Sequence, residues 1–168
     1  MRIYRKAVDP ALSAQALHDA AYALLCEVLR QDWNCPDPVI EKTPLGKPFL
    51  RGEGMPCISV SHTRGLVCCA VSETPVGMDC EYPRPVPRRV LQRVCTPAEL
   101  CALDAAAEPE AQALCLWVLK ESISKKLGVG LKAPFTQYDI TFTPDGPVCS
   151  GHTLHLERYD SFFIAAAE

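Results

Sequence analysis

Val76-Gly77-Met78-Asp79-Cys80-Glu81 sets two carboxylates two residues apart in a run that is otherwise apolar. Side chains alternate faces along a β-strand, so Asp79 and Glu81 point one way while Met78 and Cys80 point the other. One face is core; the other carries two hard oxygen ligands. Carboxylates this close repel, and a half-buried site tolerates them best with a cation between them; oxygen ligands favour Mg²⁺, Mn²⁺ or Ca²⁺. A one-sided strand ending in two solvated acids would show the same alternation, so spacing alone leaves both readings open.

Upstream, Cys57-Ile58-Ser59-Val60 and Leu66-Val67-Cys68-Cys69-Ala70-Val71 read as two strands of a hairpin, joined by a turn-like Ser61-His62-Thr63-Arg64-Gly65. Arg2 to Lys6 alternates as a first strand, and Asp9-Pro10 predicts the start of a long helix with Asp9 as its cap. Leu12, Ala16, Leu17, Ala20, Ala21, Leu24, Leu25, Val28 and Leu29 form its apolar stripe. Prolines break the pattern from Asn34 to Pro48, ahead of a short strand at Pro48-Phe49-Leu50.

Downstream, Tyr82 to Arg93 is rich in Pro and Arg, and Thr96-Pro97-Ala98-Glu99 is a capping box with proline at the first helical position. A longer helix is predicted from about Pro109 to Leu127, ended by Gly128 and Gly130. Three strands close the chain, near Tyr138–Phe142, Thr153–Leu156 and Phe162–Ala167. The order strand, helical segment, three strands thus occurs twice. It predicts an α+β fold of two similar halves, residues 1–74 and 75–168, sharing one core with a ligand cleft between them.

The chain's 168 residues suffice for one sizeable domain or two small halves, and 48% of them are hydrophobic. A net charge of −3 argues against a general nucleic-acid binder, so any anion site must be local. No run of about 18 apolar residues could span a membrane, and Met-Arg-Ile-Tyr-Arg-Lys lacks the apolar stretch of a secretory signal. A cytoplasmic protein with no nucleic-acid or membrane partner is expected. The ten cysteines contain no C-x-x-C pair; Cys57, Cys68, Cys69, Cys80 and Cys115 lie in apolar runs and read as small buried hydrophobes in a reducing compartment. Neither they nor the four histidines fall at zinc-ligand spacing.

Within the second long helix, Leu116-Trp117-Val118-Leu119-Lys120-Glu121-Ser122-Ile123-Ser124-Lys125 places Trp117, Glu121 and Lys125 four apart on one face. A surface ion pair beside a core tryptophan would account for that spacing. The nearly continuous apolar residues from Leu114 to Leu119 instead imply a helix buried on most sides just where the acid stands.

Taken together, Gly77-Met78-Asp79-Cys80-Glu81 and Trp117-Val118-Leu119-Lys120-Glu121-Ser122 with Lys125 resemble the paired G-x-D-x-E and W-x-x-K-E-x-x-x-K motifs of the 4′-phosphopantetheinyl transferases. Gly46-Lys47-Pro48, Ser59-Val60-Ser61-His62-Thr63 and Cys95-Thr96-Pro97-Ala98-Glu99-Leu100 are similar to three further family motifs, all five in the family's order. The doubled layout resembles the surfactin-synthetase type, a monomeric pseudo-twofold dimer. The resemblance implies transfer of the phosphopantetheine arm of coenzyme A to a serine of an apo acyl or peptidyl carrier protein, dependent on Mg²⁺ (or Mn²⁺), with release of adenosine 3′,5′-bisphosphate. It implies Asp79, Glu81 and Glu121 as metal ligands, Glu121 as the base, and Lys125, with Lys120, opposite phosphate charge. Lys47, Ser61 and His62 fall at nucleotide contacts, and Arg84, Arg88, Arg89 and Arg93 at the segment where an acidic carrier would dock. Glu99 reads first as a capping-box residue.

The first helix departs from that pattern. Ala11 to Leu29 contains no Arg or Lys where relatives of this type carry several that reach the nucleotide, leaving Arg5, Lys6, Arg30 or Lys42 as substitutes. A coenzyme A or carrier-binding module without turnover, and a metal-dependent phosphohydrolase, are the competing readings.

Overall fold

The computed structural model describes residues 1–130 and 135–168. The first half runs β1 (Arg2–Ala7), α1 (Ala14–Asp32), β2 (Ile40–Lys42), β3 (Pro48–Leu50), β4 (Cys57–Thr63) and β5 (Leu66–Ser72). The second runs β6 (Gly77–Glu81), α2 (Arg88–Val94), α3 (Pro97–Asp104), α4 (Pro109–Leu127), β7 (Thr141–Thr143), β8 (Gly146–Val148), β9 (Leu154–Arg158) and β10 (Phe163–Ala167). Two antiparallel sheets result, ordered β1-β5-β4 and β6-β10-β9. In each, the last strand of the half pairs between the first and the penultimate one. Each half also inserts a two-stranded hairpin, β2-β3 or β7-β8. The expected α+β architecture of two similar halves is what the chain adopts.

Strand alternation explains the layering. Cys68 and Ala70 of β5 meet Met78 and Cys80 of β6 and Ile164 and Ala166 of β10 in a buried cluster between the sheets. Helix α1 covers the first sheet with Leu17, Ala21, Leu24, Leu25, Val28 and Leu29. Helix α4 covers the second; Leu114, Leu116, Val118, Leu119 and Ile123 are all at most 1% exposed, so it is enclosed on most sides as the apolar run predicts.

Where the two sheets meet, the edge of β6 is satisfied by side chains. Ser59 Oγ, Ser61 Oγ and Thr63 Oγ1, on alternate residues of β4, accept from the backbone N–H groups of Met78, Cys80 and Tyr82 at 3.0, 3.3 and 3.2 Å. Buried N–H groups need partners, and this hydroxyl ladder supplies them. It also corrects the expected turn. β4 continues through Thr63 and only Arg64-Gly65 turns, because residues 61–63 pair with Cys68, Val67 and Leu66 of β5. Helix α1 likewise begins at Ala14, not after Asp9. Ser13 caps it by accepting from Ala16 N, while Asp9 folds back onto Ala11 N in a preceding turn. The short strands β2 and β8 and helix α2 were not anticipated.

Candidate active site

Gly77 brings the carboxylate strand against α4. A Cβ built there would lie 2.1 Å from both Lys126 N and Ser122 O, so only glycine permits this approach. With Gly77 on the helix backbone, Asp79 and Glu81, two and four residues on, face the side chains of α4. Trp117, Glu121 and Lys125, on consecutive turns, line the same cavity of about 520 Å³. His18 and Tyr22 of α1, Lys42 of β2, Lys47 of the β2-β3 loop, and Ser61 and His62 of β4 also line it.

The three carboxylates differ in their partners. Asp79 Oδ1 receives Lys125 Nζ at 2.7 Å and the Ser61 hydroxyl at 2.8 Å, and Lys125 Nζ also reaches Ser61 Oγ at 3.0 Å. Glu81 receives Arg84 through both Nε (3.2 Å) and Nη2 (2.5 Å), and Trp117 Nε1 at 3.2 Å. Glu121 Oε1 is buried with no hydrogen-bond partner among the described residues. Burial, reinforced by the neighbouring charges of Asp79 and Glu81 and opposed by Lys125, pushes the Glu121 carboxyl up to about 7. Burial alone would lower the Lys125 ammonium, but Asp79 and Glu121 beside it outweigh that and hold it above the ordinary lysine value.

Among the described residues, no group of three or more His, Cys, Asp or Glu side chains stands already converged to hold a metal ion. Lys125 and Arg84 occupy two of the carboxylates. The donor set nevertheless fits a hard divalent cation: three carboxylates border one cavity, and Glu121 Oε1 has no partner among the described residues.

Lys47 donates to the carbonyl of Lys126 near the end of α4, and burial pulls its ammonium below the ordinary lysine value. Burial, with Lys125 and His18 nearby, likewise lowers His62. The cavity therefore gathers seven of the eight site residues read from the sequence. Lys120 is set apart: it is wholly buried, donating to Glu99 Oε2 at 2.7 Å, Tyr138 O at 2.6 Å and Phe135 O at 3.2 Å. An ammonium so enclosed has no face toward the cavity, which corrects its expected phosphate contact. Glu99 keeps its capping box with Thr96 and also serves Lys120 and Ile140 N.

Sequence reading missed His18 and Tyr22. Their i,i+4 spacing on the polar side of α1 was the available signal. Of the four arginines expected near the carrier, Arg84 is held by Glu81 and Arg88 is bidentate on Asp104, while Arg89 and Arg93 stand exposed on α2.

A family model described as the 4′-phosphopantetheinyl transferase superfamily matches residues 75–166. The chain is 31% identical over 124 residues to a 4′-phosphopantetheinyl transferase of Bacillus subtilis, covering 69% of this chain and 55% of that one. To the transferase Sfp of Bacillus subtilis strain 168 it is 30% identical over 105 residues, covering 56% of this chain and 47% of that one. The chain thus spans about half the length of these relatives. The crystal structure of Thermotoga maritima holo-[acyl-carrier-protein] synthase superimposes with a TM-score of 0.50 at 21% identity, over 56% of this chain and 61% of that one, a likeness of fold.

Proposed function

The chain belongs to the 4′-phosphopantetheinyl transferase superfamily, and from that premise we propose that it moves the phosphopantetheine arm of coenzyme A onto a serine of an apo acyl or peptidyl carrier protein. The observation that carries this reading is Glu121. It is a half-buried carboxylate whose buried Oε1 has no partner among the described residues and whose proton affinity is raised to about 7, set beside two further carboxylates and an ammonium in one cavity. A general base works best when its pKa lies near the operating pH.

In this reading the serine hydroxyl loses its proton to Glu121, directly or through water. The serine oxygen then bonds to the β-phosphorus of coenzyme A as the pyrophosphate P–O bond breaks, and adenosine 3′,5′-bisphosphate leaves. Asp79, Glu81 and Glu121 would hold Mg²⁺ or Mn²⁺. The bound ion supplies neutralisation of charge on the phosphate oxygens. A carboxylate has two oxygens, so Glu121 can serve as both ligand and base. Lys125, already in the cavity, opposes phosphate charge as coenzyme A enters. Ser61 holds Asp79 in place and Trp117 holds Glu81, while His62 and Lys47 face the nucleotide.

The carrier is assigned to the segment of Arg84, Arg88, Arg89 and Arg93, with Arg89 and Arg93 the two whose exposure suits steering of an acidic partner. We place the divide between the halves at Thr74-Pro75, between the end of β5 and the start of β6. With both halves in one chain, a monomer suffices. The ten free cysteines support a reducing, cytoplasmic setting; among the described residues, no helix is long and apolar enough to cross a membrane.

The test is intact-mass spectrometry of an apo carrier protein incubated with the chain, coenzyme A and Mg²⁺. A gain of about 340 Da, the mass of the arm, that disappears with EDTA is the expected result of metal-assisted transfer. No gain on several carriers, with coenzyme A still bound, would instead identify a binding module without turnover.

A further inference from the structure

Among the described residues, Glu81 is the one carboxylate of the three with donors on both oxygens. Arg84 Nε reaches its Oε2 at 3.2 Å and Arg84 Nη2 its Oε1 at 2.5 Å, while Trp117 Nε1 adds a further bond to Oε1 at 3.2 Å. One guanidinium therefore covers the whole carboxylate, in a pair whose side chains are only 30% and 17% exposed. Forked pairs of this kind are among the stronger hydrogen-bonded ion pairs. A divalent ion bound directly to Glu81 needs an oxygen that Arg84 holds, and the guanidinium's own charge repels it.

Arg84 also has a second side. Pro83, Arg84 and Pro85 line another cavity, of about 690 Å³, together with Glu108 and Glu110 at the start of α4. Arg158, which lines it too, takes Glu108 at 2.8 Å and lies 5.6 Å from the Phe163 ring centroid. Glu110 is exposed and has no ion-pair partner among the described residues. Arg84 thus bonds a carboxylate of the first cavity while bordering a carboxylate of the second. The prolines on either side hold their own φ angles, so the exchange falls to the side chain, a guanidinium on a flexible three-carbon stem.

We propose that Arg84 is a positioning residue that exchanges partners: it holds Glu81 until a divalent ion takes that carboxylate, and then turns to Glu110 in the wall of the second cavity. The inference rests on the reading of Asp79, Glu81 and Glu121 as the ion's ligands, and it adds a residue that sets how tightly the ion is held. Trp117 stays on Glu81 Oε1 through the exchange and keeps that carboxylate facing α4. Glu110 supplies the charge that draws the released guanidinium away from the ion.

Titration of the full chain with Mn²⁺, followed by the EPR signal of the free aqua ion, tests this without any transfer reaction. Arg84→Ala should bind Mn²⁺ about tenfold more tightly than the unaltered chain, the value of one hydrogen bond to a charged group. Glu110→Gln should bind it about threefold less tightly, as for loss of an exposed ion pair. In the Arg84→Ala background the same Glu110 change should have little effect, because no guanidinium is left to receive. Neither side chain belongs to the core, so the replacements leave the fold intact. Unchanged or weaker Mn²⁺ binding by Arg84→Ala overturns the exchange, since removing a residue that only shapes the site would loosen the ion. A Glu110→Gln effect of equal size with and without Arg84 overturns it too, as that is long-range attraction alone. If either result comes from a chain that still binds Mn²⁺ and modifies a carrier, only the exchange fails; if the unaltered chain binds no Mn²⁺, the metal reading falls with it.

Discussion

Lys120 and Lys125 stand on the same helix, each with its ammonium 2.7 Å from a carboxylate, and they do opposite things. Lys120 and Glu99 are 0% and 2% exposed, and every group around them is spoken for: two carbonyls accept from Lys120, and the N–H groups of Thr96 and Ile140 donate to Glu99. Lys125 and Asp79 are 31% and 9% exposed and open onto the cavity. Five residues of helix turn the two side chains about 140° apart, so one points to the junction of α3 with the segment around Tyr138 and the other to the sheet junction. A buried ion pair that is fully satisfied fixes structure, whereas one with an open side can exchange partners. That openness is what a site for a multiply charged ligand requires.

The sharpest way to strengthen the contrast is to alter the open side without altering the closed one. Glu121→Gln keeps shape and removes the charge, and it should reduce carrier modification by about 10²–10⁴-fold, the usual contribution of a general base. Because Gln mimics the protonated acid, its melting temperature at neutral pH should be no lower than that of the unaltered chain. Near-normal turnover by mass spectrometry would take Glu121 out of the chemistry.

The closed side predicts the reverse. Lys120→Met strands the buried Glu99 carboxylate and should cost about 3–5 kcal/mol in urea unfolding. Lys125→Met leaves Asp79 with its Ser61 bond and a partly solvated edge, and should cost about 1 kcal/mol while lowering transfer severely. Equal stability losses in the two variants would erase the distinction between them. Gly77→Ala tests what holds the open side together: the new methyl must displace the backbone of α4, at about 1–3 kcal/mol, and transfer should fall further than stability alone explains.

How much of this was legible follows from how local each signal is. The capping box at Thr96, the span of α4 from Pro109 to Leu127 and the facing of Asp79 against Met78 depend on neighbours within a few residues, and the sequence reading anticipated them. Lys120 and Lys125 could not be told apart, because what separates them is Glu99, 21 residues upstream, and the carbonyls of Phe135 and Tyr138. Ser61-His62-Thr63 looked like a turn because hydroxyls and histidine are common there. In the fold those hydroxyls serve β6, 19 residues downstream, a partner that no local pattern reveals. His18 was hidden for the same reason, as an ordinary polar residue on an amphipathic helix until the cavity places His62 beside it.

The smallest expected effect concerns protons at the open side. The carboxyl of Glu121 sits at about 7 in the folded chain, above its ordinary value of 4.5, because burial disfavours its charge. The folded state therefore holds that proton more tightly than the unfolded one. Its contribution to stability is full below 4.5 and is lost as pH rises through about 7. Between pH 6 and 7 the metal-free chain should lose about 1 kcal/mol from this group. His62, whose imidazole burial lowers, acts in the opposite direction, so the informative quantity is the difference between the unaltered chain and Glu121→Gln, which mimics the protonated acid at every pH. Mg²⁺ competes with the same proton, and should raise the melting temperature more at pH 8 than at pH 6. Parallel pH profiles for the two proteins, with or without Mg²⁺, would mean that Glu121 does not titrate in this range and that its free oxygen is not where the cation binds. A divergence that closes when Mg²⁺ is added would locate both proton and metal on the open side of α4, one residue from Lys120, whose own ion pair should remain indifferent to either.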